Sequence, residues 1–224
     1  MKMMNERQLI EFCQTGEGKL GSLWRMPGLG VNVKRYPTCY CTHRAIDAMI
    51  DLAKDHDLKP DAVKEIRVRT GATQMLMLRN SNPTTGLEAK FSMQFAVAAA
   101  LVARRVGLSE LTDEFVRKPE IVANVGKVTC TTVEETMLDL PFAPDDRVAV
   151  VLADGQVIEH PPVTHAKGSC ERPLTREELS EKFLDCATRR LDRNQARALF
   201  DQLWDIVELP SVRELRLTEF RQHA

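Results

Sequence analysis

The chain has 224 residues, 43% of them hydrophobic and 28% charged, enough to bury the core of one large domain or two small ones. With 31 Lys and Arg against 32 Asp and Glu its net charge is -1, so no global field recruits nucleic acid or an acidic membrane, and any anion site must be local. The polar opening MKMMNERQLIEF has no leader-like apolar region, and nothing later reaches the ~18 uncharged apolar residues of a membrane span, which predicts a cytoplasmic protein.

Asn5 to Gln14 reads as a short helix with Leu9, Ile10 and Cys13 on one side, ended by Gly16 and Gly18. The glycines that follow, through Gly21, Gly28 and Gly30, lack both the Lys-Ser/Thr ending of a P-loop and a strand leading into a Gly-x-Gly-x-x-Gly turn, so residues 1–30 are expected to be a helix and linker. From Thr42, a candidate N-cap, apolar Ala45, Ile46, Met49, Ile50 and Ala53 recur at helical spacing. Lys64 to Thr70 alternates as a half-buried strand does, and Asn80 to Gly86 is a loop. Phe95 to Val102 is apolar on every side and ends in Arg104, Arg105 and Gly107; such a helix expects burial all round, more than one small sheet is expected to supply.

A short helical piece near Thr112 to Arg117 precedes a second alternating stretch, Lys127 to Thr132. Arg147 to Ala153, Asp154-Gly155 and Gln156 to Glu159 carry a hairpin signal. The capping boxes Thr175-Arg-Glu-Glu178 and Ser211-Val-Arg-Glu214 open further helices, with an amphipathic one between them bearing Leu199, Leu203 and Ile206. The expected fold is α+β: a small, four-stranded, largely antiparallel sheet with flanking helices over 31–172, then a helical C-terminal segment over 173–224.

The richest stretch chemically is VKRYPTCYCTHRAIDAMI, residues 33–50, where two cations, two thiols and an imidazole stand ahead of a helix. Unpaired N–H groups and the positive dipole end attract carboxylates there, with Lys34 and Arg35 adding charge. The same field keeps His43 neutral and lowers the pKa of a thiol at Cys41. Six sparse cysteines read as reduced thiols, and Cys39, Cys41 and His43 lack the second ligand pair of a structural zinc site unless His160 or His165 completes one; no metal is expected. From these residues alone, a small-polycarboxylate site and a solvated loop capped by a histidine both remain open.

The pattern Lys34-x-Tyr36-Pro37-x-Cys39-x3-His43-x2-Ile46-Asp47-Ala48 resembles the signature of the MmgE/PrpD family, and Lys90-Phe-Ser-Met-Gln-Phe-Ala-Val-Ala-Ala-Ala-Leu101 is similar to its KFS-x-x-Y-x-VAAAL helix. The Asp113-Glu114 turn, the Asp154-Gly155 hairpin, Ala166-Lys-Gly168 and Lys182-Phe183 follow in the same order, so the likeness runs from about Gly21 to Leu215. The resemblance implies a cofactor-independent lyase or isomerase of small polycarboxylates, the class of 2-methylcitrate dehydratase, cis-aconitate decarboxylase and iminodisuccinate epimerase. It implies a catalytic role for Lys34, a role for His43 either in proton transfer or in orienting the loop, and substrate contacts for Lys34, Arg35, Cys39, Lys90 and Phe95.

Two departures stand out. Cys39 occupies the position of a catalytic histidine in the decarboxylase branch, which argues against a decarboxylase, and Phe95 stands where many relatives carry a tyrosine. The family's large helical domain would precede this region, so the expected partners are a small polycarboxylate and either further copies of the chain or a separate helical-domain subunit. The alternative is a non-catalytic polycarboxylate-binding or assembly partner.

Overall fold

The computed structural model describes residues 30–137 and 142–215; the helix expected over Asn5 to Gln14, and the glycines before Gly30, lie outside them. From Val33 onward the chain clusters as one compact unit. Helix α1 (His43–Asp55) leads to strand β1 (Val63–Gly71), after which α2 (Ala72–Met77), α3 (Gly86–Ala89), α4 (Met93–Ala103), α5 (Asp113–Val116) and α6 (Pro119–Val125) precede β2 (Val128–Val133). Strands β3 (Arg147–Leu152) and β4 (Val157–Glu159) form the hairpin, and α7 (Arg176–Ala187) and α8 (Arg193–Trp204) follow.

The sheet order is β2-β1-β3-β4. It is mixed: β1 pairs β3 antiparallel and β3 pairs β4 antiparallel, but β1 pairs β2 in parallel, with Ile66 beside Val128 and Val68 beside Cys130. A parallel neighbour needs a long crossover, supplied here by the helices between Ala72 and Val125. The period of two in β1 puts Ile66 and Val68 into the core beside Val150 and Val148 of β3, with Arg67 left exposed. In the hairpin turn Gly155 takes φ +91, the left-handed region that glycine enters without penalty, and the Gln156 N–H donates to Asp154 Oδ1 at 2.9 Å.

The apolar helix is the centre of the core. Ser92 caps α4 by accepting from the Phe95 N–H, and every residue from Phe95 to Leu101 is 0% exposed. The expectation that one face would stay uncovered is therefore corrected. Helices α1 and α6 pack on α4 alongside β2, closing the sides the sheet cannot reach. Burial of each large side chain here contributes about 1.5–3 kcal/mol. The helix stops at Ala103, earlier than Gly107, because Arg104 takes a left-handed φ of 54. Its guanidinium is held by Asp57 and the Leu58 carbonyl.

Other elements also depart from the sequence reading. Thr42 makes no side-chain cap: a 3-10 turn over Tyr40–Thr42 runs straight into α1, and Thr42 Oγ1 donates to the Cys39 carbonyl at 2.8 Å. In α8 the buried residues are Ala196 and Phe200 rather than Leu199 and Leu203, and Ile206 lies beyond the helix end. At Ser211 only a three-residue 3-10 turn forms, with the serine accepting from Arg213 N. The Thr175 box is complete, Glu178 N–H to Thr175 Oγ1 and Thr175 N–H to Glu178 Oε2.

A buried ion pair ties α1 to the sheet. Arg44 donates to Asp146 Oδ1 at 2.9 Å and to the carbonyl of Ala143, while Thr70 donates to the same carboxylate oxygen at 2.7 Å. Burial pushes the Asp146 carboxyl up, against the opposing pull of Arg44 and Thr70. Arg44→Met would strand that carboxylate at 0% exposure, so the variant is expected to lose about 3–5 kcal/mol of stability, read as a lower urea midpoint. Wild-type stability in Arg44→Met would show that the pair is dispensable.

Candidate functional site

Residues 33–42 form an arm that lies against the start of α1. Its fixed point is Tyr36, 4% exposed, whose hydroxyl donates to Asp47 Oδ1 at 2.6 Å. The other Asp47 oxygen accepts the Lys167 N–H at 2.7 Å, with the Arg172 guanidinium 3.6 Å away. A further tie joins the Val33 N–H to the Gly168 carbonyl at 2.7 Å. Gly168 has φ +92, and a Cβ there would lie 2.1 Å from the Val33 oxygen, so only glycine fits.

The arm presents Lys34 and Cys39. Lys34 is exposed, its ammonium donating to the Thr38 carbonyl at 3.4 Å. Cys39 is half-buried, and its N–H donates to the Lys90 carbonyl at 2.8 Å, which brings the segments that begin at Lys34 and at Lys90 to one place. Thr42 spends its proton on the Cys39 carbonyl, so the 2.9 Å contact between Thr38 and Thr42 hydroxyls has Thr38 as donor. These bonds fix the backbone around the thiol.

A hydrogen bond from the Cys41 thiol is the main cause that brings Cys39 down to about 6; the Cys41 backbone N–H and the charge of Lys34 add to it, against partial burial. Cys41, the donor of that pair and buried, is pushed up for the same reason. The sequence reading expected the lowered thiol at Cys41; of the two, Cys39 is the more exposed, and the lowering falls on it.

His43 is 0% exposed and wedged between two rings, 5.1 Å from Tyr36 at 74° and 4.9 Å from Tyr40. Neither ring nitrogen has a hydrogen-bond partner of good geometry. Burial, reinforced by the Lys34 charge and opposed by the backbone of Thr38 and Tyr36, lowers its pKa to about 4. The imidazole is therefore neutral at pH 7.

The remaining candidates separate. Arg35 turns from the arm to pair with Glu178 of α7, its guanidinium 5.8 Å from the Tyr36 ring centroid. Phe95 sits in the core, T-shaped against Phe115 at 6.4 Å, with no exposed surface. His160 faces Asp51 at 3.7 Å and His165 faces Glu171 at 3.4 Å. Among the described residues no group of three or more His, Cys, Asp or Glu is arranged to hold a metal ion. Asp47 is the residue the sequence reading passed over, although it stands inside the quoted motif; a carboxylate among Ile46, Ala48 and Met49, all fully buried, needs a dedicated donor.

A family model described as the MmgE/PrpD C-terminal domain matches residues 36–206. A search of curated proteins finds no match. Among the described residues no helix is long and apolar enough to cross a membrane.

The environment of His43 has a measurable consequence. Its folded pKa of about 4 lies below the ordinary 6.5, so between these values the unfolded chain binds the extra proton. This contribution is fully present above pH 6.5 and is lost as pH falls towards 4, amounting to about 3 kcal/mol. Urea unfolding from pH 7 to 4 is expected to show a shallower pH slope in His43→Gln than in wild type; parallel slopes would place the acid sensitivity elsewhere.

Proposed function

The chain belongs to the MmgE/PrpD family through its C-terminal domain, and on that premise we propose that it is the C-terminal part or subunit of a cofactor-independent lyase or isomerase that moves a proton on a small polycarboxylate, as a 2-methylcitrate dehydratase does. The observation that carries this reading is the pairing, on one rigid arm, of an exposed cation, Lys34, with a half-buried thiol held near pKa 6, Cys39.

In this reading Lys34 binds a substrate carboxylate and holds the negative charge that grows on it as the neighbouring carbon loses its proton. The Cys39 thiolate takes that proton, and its pKa near neutrality lets it give the proton back, to the other face of the same carbon in an isomerisation or to the hydroxyl leaving the adjacent carbon in a dehydration, so that the C–O bond breaks, the C=C bond forms and water departs. His43 acts as a neutral wedge that orients the arm, since both ring nitrogens are buried. Lys90 supports Cys39 through its carbonyl, Arg35 contributes through the Glu178 pair beside the arm, and Phe95 through packing in the core against Phe115.

Lys34 and Cys39 line neither the cleft that Lys54 and Arg193 border nor the apolar pocket between Phe183 and Trp204. An open cation and thiol fit a site whose opposite wall comes from a helical-domain subunit or a second copy of the chain. The same openness favours the second reading, a non-catalytic polycarboxylate-binding or assembly partner. Turnover assays with 2-methylcitrate, cis-aconitate and iminodisuccinate, run with the chain alone and with a helical-domain partner added, separate the two: product formation in either arm supports the enzyme, and binding without turnover in both supports the partner.

Two variants test the assignments. Lys34→Met is expected to weaken citrate binding in calorimetric titration by roughly 1.5 to 3 kcal/mol, the range for a hydrogen bond to a charged group, with the fold intact; equal affinity removes Lys34 from the site. Alkylation of Cys39 by iodoacetamide, followed by peptide mass spectrometry, is expected to reach half its limiting rate near pH 6. A midpoint near the ordinary thiol value would take the base role away from Cys39.

A further inference from the structure

A cavity of about 560 Å3 opens between the end of α1, the turn after α4, and helices α7 and α8. Six cations border it against three carboxylates. Two of the carboxylates are already engaged: Glu178 holds Arg35 and caps α7, and Asp185 faces Arg105 at 3.5 Å while accepting the Leu108 N–H at 2.8 Å. The third, Glu181, is 76% exposed and reaches Arg35 only at 4.0 Å.

Lys54 of α1, Lys182 of α7 and Arg193 of α8 also border the cavity and make no ion pair or hydrogen bond among the described residues. Three uncompensated cations from three separate elements thus converge on one open, largely polar cleft. Their mutual repulsion is relieved by an occupant of opposite sign, and the excess of positive charge calls for more than one negative group. Because Lys34, Cys39 and Lys90 do not line this cleft, the ligand there is not the one held by the arm. Arg35 and Tyr36 form part of its wall, so an occupant sits against the back of the arm.

We propose that the cleft between α1, α7 and α8 is a second anion site, which takes a small molecule bearing two or more phosphate or carboxylate groups through Lys54, Lys182 and Arg193. The inference stands on the charge distribution of the cleft and does not depend on the activity assigned to the arm.

The test is calorimetric titration of the full chain in low-salt buffer with pyrophosphate and, separately, citrate, both in a Lys34→Met background that weakens the arm's own hold on an anion. Binding of one equivalent of either anion is expected, with the preferred one identifying a phosphate or a carboxylate ligand. Lys182→Gln combined with Arg193→Gln is expected to weaken it about tenfold or more, as loss of charge-assisted contacts does. Thermal melting checks that this double variant folds; Lys54→Gln, at an exposed position, repeats the test should it not. No saturable binding of either anion, or affinities unchanged in both sets of variants, would overturn the proposal and leave only diffuse counter-ion association.

Discussion

One buried hydrogen bond, from the Tyr36 hydroxyl to Asp47, fixes the arm that carries Lys34 and Cys39. A carboxylate at 0% exposure must have donors, and Asp47 takes one from the arm and one from the Lys167 amide. Burial pushes its carboxyl up while those donors pull it back. The arm and the Lys167 loop, which lies 120 positions from Asp47, are thereby tied to one side chain. With Tyr36 held, Lys34 and Cys39 have little freedom, and His43 is pressed between the Tyr36 and Tyr40 rings.

Helix α1 is the hub because it is buried on every side over its first two turns, from His43 to Ile50. Its polar residues are consequently connectors rather than a solvated face. Asp47 reaches the arm, and Arg44 reaches Asp146 at the edge of β3, where Thr70 and Gln74 share the same oxygen. Glu178 extends the scheme to the helical C-terminal segment by capping α7 and pairing with Arg35 at once. The arm is thus held from below by packing and from the side by charge.

The strands were legible because a half-buried sheet writes a period of two, and the Asp154-Gly155 turn was legible because its geometry admits few residues. The parallel pairing of β1 with β2 was not, since nothing local distinguishes a strand that crosses over from one that folds back. Helix α6 also left little trace: seven residues opened by Pro119 are too few for a helical period to show. Covering α4 needed α1 and α6 together, a fact of tertiary arrangement that composition cannot carry. Within the site, the cations and thiols of the motif were visible, but that the turn buries Cys41 and leaves Cys39 half-buried was not, and the Arg44–Asp146 pair spans 102 positions. Asp47 looked like an ordinary helix-surface carboxylate because the arm that buries it is not part of the helix pattern.

Gly168 separates two kinds of selection. The core of α1, α4 and the sheet does not include it, yet the Val33 oxygen stands where any side chain there would begin. The Val33 to Gly168 bond is the last backbone tie before Lys34. A side chain at this turn would displace the Val33 backbone, and with it the segment that carries Lys34, while the core that does not include this turn stays packed.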